Sequence, residues 1–144
     1  TPETVFEPNF VIANEIAHWI FDNTLDYEEN TEEIQIQSEL FSDYYSTFFV
    51  PAHLGYKYLM KRLHEYKCGA IRPQYKLIGE TLEKVLRKSK KIQKYEGQDI
   101  TDLIKARDTK ATEAYIEFLK NFRTEAETII PDEVIQAGKL YIKK

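Results

Sequence analysis

The chain has 144 residues, 42% of them hydrophobic and 13% aromatic, with five Gly and five Pro. That length suits one domain with a buried core, and the composition excludes a disordered chain and argues against a turn-rich all-β fold. Net charge is −4, the single cysteine excludes an internal disulfide framework, and no run approaches the roughly 20 apolar residues that span a bilayer.

Asn9 reads as an N-cap, and FVIANEIAHWIFDN after it is apolar almost all round, predicting a well-buried helix over 10–23. The acidic TLDYEEN, Thr24 to Asn30, reads as a loop. Asn30 followed by Glu33 resembles a capping box, and Leu40, Phe41, Tyr44, Tyr45 and Phe48 recur at helical spacing, predicting a helix over 32–49. The alternation Ile34-Gln35-Ile36-Gln37 makes a short strand over 33–37 the alternative.

Pro51 fits a first helical turn, and a helix over 52–67 buries Leu59, Met60, Leu63 and Tyr66 before Gly69 stops it. Pro73 opens a helix to about 95, Gly97 breaks it and Asp99 caps the next. A helical pattern from Ile100 runs through Tyr115, Leu119 and Phe122 to about 128, with an interruption near Asp108. Pro131 starts a last helix with Val134, Ile135, Ala137 and Leu140. The expectation is a single all-α domain over 1–144, a compact bundle of five or six helices. A start at Thr1 and an end with helical character suggest a piece of a larger protein, and the lone Cys68 suggests an intracellular one, cytoplasmic or nuclear.

Charge is sorted along the chain. Residues 1–50 carry eleven Asp and Glu and no Lys or Arg; residues 51–95 carry twelve Lys and Arg against three Glu; residues 96–144 carry eight basic and ten acidic residues. The first two segments can neutralise each other within the fold, pair between copies, or steer a charged partner.

The densest basic run is KVLRKSKKIQK, Lys84 to Lys94. On a continuous helix, Val85, Leu86, Ser89 and Ile92 fall on the docking side and Lys84, Arg87, Lys88, Lys91 and Lys94 form an outer stripe. Part of it complements a helix C-terminus, a purely structural role. As a contact surface it suits an acidic protein segment or, as the alternative, nucleic-acid phosphates. A pI of about 5.5 and the absence of RRM, KH and zinc-finger signatures argue against a dedicated nucleic-acid module. In the acidic third, Glu28, Glu29 and Glu32, with Asp26 and Glu33, suit a basic partner, and Tyr44 and Tyr45 become interface anchors if they are exposed together.

Chemical motifs are sparse. Glu15 and His18 form one E-x-x-H with Asp22 a turn beyond, but a di-iron site needs two such motifs, and His18 among Ile16, Trp19 and Ile20 reads as a hydrogen-bonded core residue. Cys68 with His53 or His64 has no nucleophile signature around it and reads as a half-buried bystander. No glycine-rich phosphate loop is present. The reading is a non-catalytic helical protein–protein interaction domain, an adaptor or assembly module, with no cofactor or metal, self-association as a further mode and no transmembrane segment.

Overall fold

The computed structural model describes residues 8–25, 31–70, 72–95, 97–98 and 100–142. Among them it is all-α: α1 Pro8–Thr24, α2 Glu32–Ser46, α3 Ala52–Lys67, α4 Lys76–Lys88, α5 Ile100–Lys105, α6 Thr109–Glu127 and α7 Asp132–Ile142. Short 3₁₀ turns, Pro73–Tyr75 and Ile92–Tyr95, flank α4. No described residue is in a strand, so the segment 33–37 is helix. No helix among the described residues is long and apolar enough to cross a membrane.

Local chemistry sets most of the ends. Thr31 caps α2, its hydroxyl accepting from the Ile34 N–H at 3.3 Å, one residue past the expected Asn30, which lies outside the described residues. Asn9 is not a cap but the second residue of α1. Gly69 ends α3 with φ +73, Ala70 N–H reaching Glu65 O and Gly69 N–H reaching Tyr66 O, the paired bonds of a Schellman motif. Asp108 caps α6 by accepting from the Lys110 and Ala111 N–H groups, which is where the sequence shows an interruption. The expected Asp99 cap lies outside the described residues.

The helix expected to run from Pro73 to about 95 stops at Lys88. Ser89 is fully buried at φ −96, ψ 82, and its Oγ donates to Val85 O and accepts from Asn121 Nδ2. Glu117 takes the Lys91 N–H at 3.2 Å, and Gln93 Nε2 donates to the Leu86 and Arg87 carbonyls. Side chains of α6 and Gln93 thus satisfy the backbone groups that a continuing helix would pair internally.

α1 and α2 form the most extensive helix pair and run antiparallel; α3, α4 and α6 pack on one another, and α2 touches α4 and α6. α7 closes against α1 and lays Gly138 on Phe41 and Tyr45. Phe21, Phe41, Leu40, Leu59, Leu63, Ile78, Leu82, Phe118, Phe122 and Val134 are fully buried in one continuous core.

Candidate functional site

A polar seam joins α1, α2 and α3. Asp43 on α2 is completely buried, and Arg62 on α3 donates from Nε to Oδ2 at 3.1 Å and from Nη2 to Oδ1 at 3.4 Å. Arg62 Nη2 also donates to the Tyr58 hydroxyl at 2.8 Å, and its guanidinium lies 3.9 Å from the centre of the Tyr75 ring. Burial pushes the Asp43 carboxyl up while Arg62 holds it down. Burial pulls Arg62 down, but Asp43 and Tyr58 leave it above its ordinary value. Asn14 Oδ1 accepts from Ser42 and from Ser46 Oγ, the latter at 2.7 Å. With Asp43, Ser42 and Ser46 buried at its centre and Asn14, Tyr58 and Arg62 only partly exposed, this network fixes the register of three helices.

Beside it, α1 and α2 enclose an open cleft of ≈ 330 Å³ lined by His18, Asp22, Gln35, Ser38, Glu39 and Gln74 among others. His18 Nδ1 is 2.8 Å from Ser38 Oγ, and Nε2 is 3.6 Å from Glu39 Oε1. Burial raises the Glu39 carboxyl, with His18 opposing it. His18 is therefore a half-exposed cleft residue, not a core one. Among the described residues no three His, Cys, Asp or Glu side chains come together to hold a metal ion. Cys68 is exposed rather than half-buried, and its Sγ lies 3.6 Å from His64 Nε2 one helical turn away. No described carboxylate or amide orients that imidazole, as a nucleophile's base requires.

The surface of α1 departs most from expectation. Ile12, Ile16 and Trp19 are 56%, 41% and 59% exposed, and Phe49 beside them is 37% exposed. The helix is apolar all round, yet only Phe10, Ala13, Ala17, Ile20 and Phe21 face the core. The small Ala13 and Ala17 mark the side where neighbours approach closely, and that spacing is the signal a sequence reading could use. Ile12, Ile16 and Trp19 lie at i, i+4 and i+7, one straight ridge on the opposite side. Asn9, Ile12, Ala13, Ile16 and Phe49 enclose a shallow recess of ≈ 270 Å³ along it.

Lys84, Arg87, Lys88, Lys91 and Lys94 are all exposed, but the break at Ser89 spreads them over α4, a turn and a 3₁₀ segment instead of one helical stripe. Lys88 Nζ pairs with Glu125 at 3.1 Å, an exposed contact of little energetic weight. Glu32 is exposed in the first turn of α2, whereas Glu28 and Glu29 lie outside the described residues. Tyr44 and Tyr45 are each 1% exposed, so they are core residues and not a surface pair. Burial and a 2.6 Å bond to Glu127 raise the Tyr44 phenol, and the Tyr45 ring packs at a tilt against Phe41 and Phe49.

The chain matches no family model, no curated protein and no solved structure in comparisons with each. Among the described residues its surface carries an exposed apolar ridge on α1, an acidic cleft next to it, and a dispersed set of cations on the α4 side.

Proposed function

We propose that this chain is a non-catalytic helical interaction domain whose contact face is the α1 ridge with Phe49. The observation that carries the reading is the joint exposure of Ile12, Ile16, Trp19 and Phe49. Large apolar side chains gathered on one face of a folded domain mark contact sites far more often than scattered single ones. An exposed indole with aliphatic neighbours is also the composition of an interface hot spot. This moves the expected contact from Tyr44 and Tyr45, which are interior, to the helix packed against them.

A second reading, phosphate binding, rests on the basic run. Lys84, Arg87, Lys90, Lys91 and Lys94 are exposed and have no acidic ion-pair partner among the described residues. Such contacts give salt-sensitive, sequence-independent affinity. One experiment separates the two: a photo-crosslinker placed at position 16 or at position 91 of the intact chain in extracts of its source. The first reading predicts discrete protein adducts at position 16, lost on adding Trp19→Ala. Adducts to nucleic acid at position 91 with none at position 16 would transfer the function to the basic run.

A further inference from the structure

The ridge and the α1–α2 cleft are neighbours. Trp19 and Asp22 lie three residues apart on α1, so the last apolar group of the ridge adjoins the first carboxylate of the cleft. Glu15, exposed, lies between Ile12 and Trp19 on the same side. No Lys or Arg occurs anywhere in residues 1–50, so His18, 3.6 Å from Glu39, is the one side chain of α1 and α2 that can carry positive charge beside these carboxylates. Arg62, which packs against α2 from α3, is already committed to Asp43, Tyr58 and Tyr75. The cleft lining is rich in acceptors: the carboxylates of Asp22 and Glu39 and the amide oxygens of Gln35 and Gln74.

We infer that the occupant of this face is a basic amphipathic helix of another protein. Its apolar side chains cover Ile12, Ile16, Trp19 and Phe49, and one of its Arg or Lys side chains enters the cleft between His18, Asp22 and Glu39. The inference rests on the α1 ridge being the contact face and adds the chemistry of the partner. Three arguments select this occupant. A ridge of two helical turns, roughly 10 Å long, matches the groove between side-chain rows on a partner helix. A planar guanidinium presents five donors to a recess lined by carboxylate and amide oxygens. A nucleic acid or an anionic membrane would meet like charge here. A second copy of this chain cannot present its own basic helix here, because the apolar face of that helix, Ile78, Leu82 and Val85, is consumed in the core.

The test uses the full chain and three fluorescein-labelled helical peptides: one with a Leu stripe flanked by Arg, the same with Glu for Arg, and one of the first composition with the stripe scrambled. Anisotropy is read against wild type, Ile16→Asp and the double variant Asp22→Asn/Glu39→Gln, each checked for native helicity. The first peptide is expected to bind wild type saturably. Ile16→Asp abolishes that binding, and the cleft variant weakens it about ten-fold, the loss of one charge-assisted bond. The Glu peptide is expected not to bind. Equal binding by the scrambled peptide would overturn the proposal, since charge alone would then suffice. Binding that is lost in Ile16→Asp but unchanged in the cleft variant and in the Glu peptide would leave the ridge as a contact face and remove the cationic partner. No binding by any peptide would also overturn it, and then adducts at position 16 would decide whether the ridge is a contact at all.

Discussion

Asp43→Ala is expected to lower stability by about 3 to 5 kcal/mol, the cost of leaving one member of a buried ion pair without its partner. Arg62 would keep its charge, because a guanidinium does not release its proton in this pH range, and its stacking on Tyr75 holds it inside. Arg62→Met should cost a similar amount at pH 7 but behave differently with acid. Without Arg62, the main charge and the hydrogen bond that hold Asp43 down are gone and only the smaller pull of His18 still opposes burial, so the carboxyl rises further above its unfolded value of about 3.9. A raised carboxyl binds its proton more tightly in the folded state, so relative stability grows as pH falls through the raised value toward the unfolded one. The deficit of Arg62→Met relative to wild type therefore shrinks on going from pH 7 toward pH 4, while that of Asp43→Ala does not. Urea denaturation of the three proteins at pH 7 and pH 5 measures both effects. A loss below about 1 kcal/mol in Asp43→Ala would mean that the pair is not what joins α2 to α3.

Gly79→Ala is the second large expected effect, and its sign runs against helix propensity. In an open helix the change would gain about 1 kcal/mol. Here the new Cβ would sit 2.6 Å from Tyr66 Cβ and closer still to Tyr66 Cγ. Those atoms are the root of the tyrosine side chain, so no rotation about its outer bonds clears them, and α3 and α4 must separate. Overpacking of this kind costs about 1 to 3 kcal/mol or more, and we expect the net result to be a loss of about 2 kcal/mol, or several degrees in Tm. Tyr66→Ala in the same background should restore part of that loss by opening the space. A Gly79→Ala protein as stable as wild type in thermal melts would contradict the close approach of the two helices.

Local signals made much of this fold legible. Gly69 as the end of α3, the interruption at Asp108 and Pro131 before α7 all act through the backbone of a few neighbouring residues. What escaped depends on residues distant in sequence. The stop at Ser89 is made by Asn121 and Glu117 of α6, some thirty residues on. The Asp43–Arg62 pair joins the acidic and basic segments inside the core, where charge counting along the chain places nothing. Tyr44 and Tyr45 were conditional anchors, and the packing of α7 and α6 around α2 makes them interior.

The α1 ridge was hidden for a different reason. A helix apolar on every side reads as buried on every side, and periodicity alone does not say how many neighbours the fold supplies. Among the described residues the fold supplies α2, α7 and Tyr58 of α3, and the face carrying Ile12, Ile16 and Trp19 stays exposed. One buried tyrosine adds a smaller anomaly: the Tyr115 hydroxyl, shielded from solvent, has no hydrogen-bond partner among the described residues, and burial raises its pKa.

Trp19 is the single tryptophan of the chain and stands on that ridge, so its fluorescence reports on the claim directly. Acrylamide quenching of the dilute protein should give a steep slope, a large fraction of that of a free indole derivative, with emission at long wavelength. A blue-shifted emission with a shallow slope at every protein concentration would show Trp19 packed inward and would contradict an open α1 face.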